Sequence, residues 1–456
     1  MSALLHDKNI EKLYDEIIEN IKSYHPSMNM DSVRKAYDYA YEKHLPQKRK
    51  SGEAYIIHPL NVALILSRLR LDKETLIAAL LHDVVEDTDT TIEEIEDIFG
   101  QEIMFLVQGL TKLKEVTYNY KKNELQAVNI KKILWATSKD IRVIIIKLAD
   151  RLHNMETLEF QSREKQIKIA RETLDIYVPI AHHLGISVLK NRLEDLALMY
   201  LNEEEYLDIS KKMKQFKIDN EYSVVHMVKD INKRVNELGI EVSIEIDYKH
   251  IFSIFRKLRK QDIELRDLYD AYAIRIIVDS KRHCYEVMGL LHDMFVPVPG
   301  RFKDFIAMPK NNLYQAIHTT LISKEKNLFE VQIMTKEMCN VAKYGVLTSW
   351  RYKEDGDSAG EHEEINQYEK LHWLNELLKW QQDISNAEFL DYIKKDLDVF
   401  GKKMVCMTNK GDVIELPKAA TAIDFAFFID EEKGSYIDGV KVNGLCQSRR
   451  CECHPT

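Results

Sequence analysis

The sequence predicts a multidomain fold: an all-α N-terminal half, a helical connector, an α+β domain and a small β-rich C-terminal module. Three observations carry that expectation. Apolar residues recur at helical spacing from the N-terminus to about residue 240, with helix-ending glycines. Beyond that point short β-rich runs alternate with helices, the texture of an α+β domain. The chain has 456 residues, too many for one core, and only 15 Gly and 9 Pro, which favours helices over many short strands.

The elements follow in order. DSVRKAYDYAYEKH, PLNVALILSRL, TLIAALLHDVVED, TIEEIEDIFG and SREKQIKIARETLDIYVPIAHHLG read as helices of a first domain over 1–190. The third of these is expected to run unbroken through Asp87. KNRLEDLALMYL and SVVHMVKDINKRVNELG continue as a helical connector over 191–240. AYAIRIIVD, AIHTTLI and FEVQIMT are the strands of an α+β domain over 241–385, and a linker helix over 386–401 follows. MVCMTNKGDVIELPKAATAIDFAFFID reads as a β-rich module over 402–446 with a hairpin turn at KGD, and 447–456 as a non-native tail.

Composition excludes several classes. An apolar content of 45% and a charged content of 30% are those of a soluble globular protein. The net charge of −9 argues against broad nonspecific nucleic-acid binding. No run approaches the roughly 20 apolar residues of a membrane span, and MSALLHDKNIEKLYDEI is amphipathic and acidic, unlike a signal peptide. Cys284, Cys339 and Cys406 are scattered, as in a reduced cytoplasmic protein. Cys446, Cys451 and Cys453 crowd the last residues without the spacing of a paired CxxC site.

LLHDVVEDTD sets the first chemical question. Leu76–Leu81 is apolar all round, as in a buried helix, yet it leads into a histidine and several acids. Helix C-termini prefer cations, and buried carboxylates are costly unless paired. Three segments supply ligand types: YIIHP holds His58, LLHD holds His82 and Asp83, and KLADRLHN holds Asp150 with Asn154 one turn later. A mixed imidazole and carboxylate set suits Mn²⁺, Fe²⁺ or Zn²⁺ more than Ca²⁺. Glu86 and Asp87, just beyond the ligands, are placed to activate or orient a water. Together these point to an HD-type phosphohydrolase; the plainer reading is a helix emerging into water with solvated acids.

A second constellation lies in the α+β domain. In KHIFSIFRKLRK, Ile251, Phe252, Phe255 and Leu258 form a core stripe, while Lys249, Ser253 and Lys257 recur every four residues on another face. Asp270 is expected to open the next strand, and RFKD and MPK add Arg301, Lys303 and Lys310. Many cations with isolated acids fit a polyphosphate with its Mg²⁺. The period of two in FEVQIMT puts Glu330 and Gln332 on one face and Phe329, Val331 and Ile333 on the other. Tyr314 can stack on a base or fill the core. A solvated basic face and a structural ion pair are the alternatives.

RKSGEAYIIHP, LLHDVVEDTDTT and KLADRLHNM resemble the hydrolase half of the RelA/SpoT homologue family, the long bifunctional (p)ppGpp synthetase/hydrolases of bacteria. The resemblance continues through ETLDIYVPIAHHLGIS, KHIFSIFRK, GRFKDFIAMPK, YQAIHTT and EVQI, over nearly the whole chain. It implies an HD-type hydrolase domain in which Mn²⁺ is held by His58, His82, Asp83 and Asp150, with Glu86 and Asp87 catalytic and Asn154 near the substrate. Arg49, Lys50 and Ser51 match the stretch that contacts the guanine nucleotide. The implied reaction removes the 3′-pyrophosphate of ppGpp or pppGpp, leaving GDP or GTP. Glu156 stands where the family has an arginine after LHNM.

The resemblance also implies a nucleotidyltransferase-like synthetase domain that moves pyrophosphate from ATP to the ribose 3′-hydroxyl of GDP or GTP. Asp270 matches its Mg²⁺ ligand. Glu330 matches the acid that aids Mg²⁺ binding and activates the hydroxyl, and Tyr314 matches the aromatic that stacks on the acceptor guanine. Lys249, Ser253, Lys257, Lys303, Lys310, Asn312 and His318 match nucleotide and phosphate contacts, and Arg301 opens the basic RFKD motif of bifunctional members. Four positions depart: Asp247 and Met334 replace arginines, Leu313 a glycine and Ser349 a histidine. Asp247 removes a cation–π partner for the adenine of ATP.

KGDVIELPKAATAIDFAF resembles the start of the family's TGS domain, with Asp430 in place of a histidine. Ribosome and tRNA contacts therefore belong to a longer parent. Two other functions compete: a hydrolase whose second domain only senses guanine nucleotide, and an HD phosphohydrolase acting on other nucleotides. The sequence settles neither the oligomeric state nor the choice between GDP and GTP.

Overall fold

The 3.6-residue period of the first half becomes a run of helices in the computed structural model. The structure describes residues 2–112, 140–261, 268, 271–310, 314–323, 328–348, 403–407, 413–417, 421–429, 440–442 and 445–447. They fall into two units, Met1–Asp383 and Ile384–Thr456. The helices of the first half are α1 (Ser2–Tyr24), α2 (Asp31–His44), α3 (Ile57–Arg68), α4 (Lys73–Leu81), α5 (Val84–Asp87), α6 (Ile92–Phe99), α7 (Gln101–Lys112) and α8 (Ile141–Glu156). They continue as α9 (Arg163–Glu172), α10 (Val178–His183) and α11 (Ser187–Leu201).

Local chemistry starts several of them. Asp72 accepts from Thr75 N at the head of α4, Asp140 from Arg142 N at the head of α8, and Thr91 and Glu94 close a capping box on α6. The all-apolar stretch of α4 is buried throughout, as its sequence requires, and α3 and α8 pack against it.

Two expected helices are interrupted. α4 stops at Leu81, and α5 restarts at Val84, so no single helix runs through Asp87. Neighbouring residues of a continuous helix point about 100° apart, whereas His82 and Asp83 are both buried. The turn lets His82 Nδ1 reach Ala79 O at 2.8 Å and Asp83 reach the Tyr55 hydroxyl at 2.8 Å. Between α9 and α10 the segment Thr173–Tyr177 is a π-helical turn. Pro179 follows it and lacks the amide hydrogen that a regular helix would use.

The helix α12 (Glu203–Asn236) follows directly, then β1 (Ser243–Tyr248), α13 (Ile251–Gln261), β2 (Tyr272–Val278) and α14 (Lys281–Met294). The domain continues with β3 (Val296–Pro297), β4 (Lys303–Asp304), β5 (Ile317–Ile322), β6 (Leu328–Thr335) and α15 (Lys336–Tyr344). The sheet order is β1-β2-β6-β5-β3, with β4 also on β5; β2 and β6 are parallel and the other pairs antiparallel. Phe329, Val331 and Ile333 of β6 are fully buried, and Glu330 and Gln332 face the other way, as the alternation requires.

α12 belongs to the sheet domain's packing: Val224, Met227, Ile231 and Val235 share a core with β2, β6 and α14. β1 went unread in the sequence because its acids, Glu245 and Asp247, blur an edge strand whose Ile244 and Ile246 are only half-buried. On α13 the stripe centres on Ile254, which is fully buried with Ile251, Phe255 and Leu258 around it; Phe252 lies outside that cluster. Residues i−3, i+1 and i+4 surround one position of a helix, and Phe252 falls between rows.

The helical half and the sheet half meet in one unit. Asp195 of α11 accepts from Phe252 N at the head of α13 at 2.8 Å. Buried Glu194 accepts from Lys190 at 2.8 Å and meets His250 Nε2 at 2.9 Å. Ser187 Oγ donates to Ala342 O at 2.7 Å, and Val346 N to Leu184 O at 3.0 Å.

In the second unit β7 (Lys403–Met407) pairs antiparallel with β8 (Val413–Pro417), in the register of a hairpin; the KGD turn lies outside the described residues. Ala422–Ile429 is a helix, α16, where a β-rich run was expected. Its apolar residues run on without alternation, a pattern that does not separate helix from strand. β9 (Val440–Val442) and β10 (Leu445–Gln447) form a second pair. Among the described residues no helix is long and apolar enough to cross a membrane.

Candidate metal and nucleotide centres

α3, α4 and α8 each bring one ligand type to a shared point. His58 lies in the first turn of α3, His82 closes α4, and Asp150 sits inside α8, with one ligand atom from each within 4.8 Å of the others. All three are buried. Asp83 stands beside this group: its Oδ2 is 3.6 Å from His58 Nε2 and 3.3 Å from His82 Nε2. The Tyr55 hydroxyl holds that oxygen at 2.8 Å and Asp87 Oδ2 at 2.6 Å, so one side chain ties an expected ligand to an expected catalytic acid. Glu86 is half-buried and Asp87 exposed on α5, one turn beyond.

Electrostatics favour a charged Asp150 and neutral His58 and His153 here. Burial opposes ionisation of Asp150, yet the Lys147 ammonium, 2.6 Å from its Oδ2, and the nearby His58 hold the carboxyl well below its usual range. Burial lowers His58, with Asp150 only partly offsetting it. Burial, then the charges of His58 and Arg49, lower His153 to about 3.

The residues fit a divalent cation. Among the described residues His82 Nε2 is buried with no hydrogen-bond partner, while its Nδ1 donates to Ala79 O at 2.8 Å. Two imidazole nitrogens and a carboxylate around that point are a donor set for such an ion.

A cleft of about 440 Å³ opens over this floor, lined among others by Arg49, Lys50, Ser51 and Asn154. Arg49 Nη2 donates to Asn154 Oδ1 at 2.8 Å, and Asn154 Nδ2 to Asp150 Oδ1 at 2.5 Å. Lys50 donates to Gln161 at 2.8 Å and Ser51 to Glu53 at 3.0 Å. Sequence reasoning missed Tyr55, Lys147 and His153. Each lies three residues from an expected ligand, Lys147 and His153 one turn of α8 from Asp150 and Tyr55 in the turn that leads into α3, and that spacing is the signal that finds them.

The second constellation gathers on the sheet. Glu330 Oε1 is 2.8 Å from His318 Nδ1, and Oε2 is 3.5 Å from Lys249 Nζ. Burial opposes ionisation, but His318 and Lys249 bring the Glu330 carboxyl down to about 2. His318 Nε2 meets the Tyr314 hydroxyl at 2.8 Å. The Lys310 ammonium lies 4.8 Å from the Tyr314 ring centre, and burial lowers its pKa. The ladder aligns Lys303 with His318 and His318 with Gln332, so three polar side chains share a row. Ser253 and Lys257 lie along α13, and Arg301 is exposed ahead of β4. Asp270 and Asn312 lie outside the described residues, as do Leu313, Ser349 and Asp430. Asp247 is ion-paired with Arg275, and Met334 is fully buried in the core.

Residues 36–187 match the HD domain model, and residues 247–357 match the model of a region found in RelA/SpoT proteins. A GTP pyrophosphokinase of Myxococcus xanthus is 43% identical over 427 residues, which is 93% of this chain and 56% of that one. The chain belongs to the RelA/SpoT family. A second RelA/SpoT relative, the guanosine-3′,5′-bis(diphosphate) 3′-pyrophosphohydrolase of Aquifex aeolicus, is 44% identical over 434 residues, 94% of this chain and 60% of that one. The chain thus spans little more than half the length of these RelA/SpoT relatives. The His58–His82–Asp150 group lies inside the HD match, and Glu330 inside the RelA/SpoT region. HD-domain hydrolases use divalent metals, and that group offers the ligand atoms such an ion takes.

Proposed function

We propose that the chain hydrolyses ppGpp and pppGpp at the 3′-pyrophosphate, with Mn²⁺ held by His58, His82, Asp83 and Asp150. The observation that carries this reading is the buried His82 Nε2, which has no hydrogen-bond partner among the described residues and lies beside His58 and Asp150 under a basic-rimmed cleft. A divalent cation bound there supplies Lewis acidity to the phosphate oxygens. Arg49, Lys50 and Ser51 bind the nucleotide at the rim, with Asn154 beside them. Lys147 keeps Asp150 ionised. Glu86 and Asp87, the latter aimed by Tyr55, take a proton from the attacking water. A new O–P bond forms at the inner 3′-phosphorus, the bond to the ribose 3′-oxygen breaks, and that oxygen takes up a proton. The products are GDP or GTP and pyrophosphate.

We further propose that the sheet domain transfers pyrophosphate from ATP to the 3′-hydroxyl of GDP or GTP. The ionised Glu330 beside Lys249 and His318 supports it. Asp270 and Glu330 would hold Mg²⁺; Lys249, Ser253, Lys257, Arg301, Lys303, Lys310, Asn312 and His318 would bind phosphates, and Tyr314 the guanine. The ion pair of Asp247 with Arg275 reduces the repulsion that a bare acid would exert on a triphosphate. The competing reading keeps this domain as a guanine-nucleotide sensor. The proposed layout is a hydrolase domain over 1–190, a connector over 191–240, a synthetase domain over 241–385 and the start of a TGS domain from 402, in a cytoplasmic protein.

The test has two arms. With Mn²⁺ and ppGpp the chain releases GDP and pyrophosphate, and His82→Ala abolishes release; equal rates on GTP would make it a general phosphohydrolase. The His82→Ala chain is then given ATP, Mg²⁺ and GDP or GTP. AMP and (p)ppGpp that disappear on adding Glu330→Gln establish synthesis. No product from folded protein that still binds GDP establishes the sensor.

A further inference from the structure

We propose that His153 is a positioning residue that sets the tautomer of His58 and thereby aims the His58 Nε2 lone pair into the metal-type pocket; this rests on the metal reading above. His153 lies on α8 one turn beyond Asp150 and is buried. Two groups converge on its Nδ1: His58 Nδ1 at 2.8 Å and Arg49 Nη1 at 3.2 Å. A guanidinium N–H only donates. His153 Nδ1 is therefore the acceptor and carries no hydrogen. The contact with His58 then needs its hydrogen from the other side, so His58 Nδ1 is the protonated nitrogen.

A neutral imidazole protonated at Nδ1 has its lone pair on Nε2. His58 Nε2 faces Asp150 Oδ1 at 3.2 Å and Asp83 Oδ2 at 3.6 Å. Three acceptors turned towards one another suit a cation. His82 reaches the same state by a simpler route, because Ala79 O can only accept from its Nδ1. The two histidines are thus set differently: one by a backbone carbonyl, the other by an imidazole that Arg49 keeps as an acceptor.

Arg49 also donates to Asn154 Oδ1 at 2.8 Å, and Asn154 Nδ2 donates to Asp150 Oδ1 at 2.5 Å. One cleft-lining cation is therefore linked to His58 through His153 and to Asp150 through Asn154. Without the His153 acceptor, His58 is able to carry its hydrogen on Nε2 and donate to Asp150, closing the pocket against a cation.

The experiment measures Mn²⁺ affinity of the full chain by electron paramagnetic resonance, with no nucleotide present. Removing an outer partner of a metal-ligating histidine typically costs 10–100-fold in affinity, so His153→Ala is expected to weaken Mn²⁺ binding by about that factor. The Oδ1 of His153→Asn takes the place of Nδ1, so that variant stays within about threefold of the parent. His153→Gln offers its oxygen near the Nε2 position and behaves like Ala. A folded His153→Ala chain with parental affinity overturns the proposal. If His153→Ala does not fold, the Asn and Gln pair decides, and equal affinities of those two overturn it. A parent that binds Mn²⁺ tightly but leaves ppGpp intact defeats the substrate reading and leaves this inference standing; a parent that binds no divalent cation defeats both.

Discussion

Gly345→Ala tests how the two halves of the first unit are joined. Gly345 ends α15 with φ 56° and ψ −128°, outside the regions open to residues with a side chain. A Cβ built there would stand 2.0 Å from Leu184 O, 2.5 Å from Gly185 C and 2.7 Å from Gly185 Cα. All three are backbone atoms, so no rotamer change relieves the clash, and the two segments must part by about 1 Å to reach normal contact. That movement strains the hydrogen bonds Val346 N to Leu184 O and Ser187 Oγ to Ala342 O. The backbone term is about 1–3 kcal/mol and the crowding term similar, so a combined cost near 4 kcal/mol is expected. That corresponds to roughly a thousandfold rise in local opening. Amide hydrogen exchange followed by mass spectrometry reads it at 184–187 and 342–346. Exchange within about threefold of the parent in both segments would refute the reasoning.

Tyr55→Phe removes one hydroxyl whose single hydrogen is shared between Asp83 at 2.8 Å and Asp87 at 2.6 Å. Hydrogen bonds to charged groups are worth about 1.5–3 kcal/mol, so kcat for ppGpp hydrolysis is expected to fall about 10- to 100-fold with KM little changed; an unchanged kcat contradicts the bridge. Glu330 titrates at about 2 in the folded chain against 4.5 ordinarily. A depressed folded pKa contributes stability that is full above the unfolded value and lost as pH falls through the folded one. The contribution is about 3 kcal/mol, lost between about pH 4.5 and 2. Acid unfolding of the parent should therefore show a component that Glu330→Gln lacks, and identical acid limbs would exclude it.

Much of the helical half is legible because the helix period is a local property of the backbone. The buried α4 and the alternation in β6 follow from runs of adjacent residue types, and both hold in the structure. The break at His82–Asp83 does not follow, since it depends on Tyr55, 28 positions from Asp83, taking up the carboxylate. α12 reads as a connector from its period alone, and only packing makes its second half part of the sheet's core. The head of α13 has no capping side chain of its own in the sequence, because the cap is Asp195, from a different helix.

The sequence by itself determined which residue types are present for a metal-type centre and a polyphosphate-type centre, and in what order. His58, His82, Asp83 and Asp150 are visible as ligand types in short motifs, and Glu330 as an acid on a strand. Only the tertiary structure decided that His58, His82 and Asp150 meet within 4.8 Å and that Asp83 is held to one side by Tyr55. It also decided that His153, 95 positions from His58, meets that ring at its Nδ1. The physical reason is that periodicity and motif spacing arise within a few residues of backbone, whereas a proton's position on an imidazole depends on which donors and acceptors folding brings to its two nitrogens.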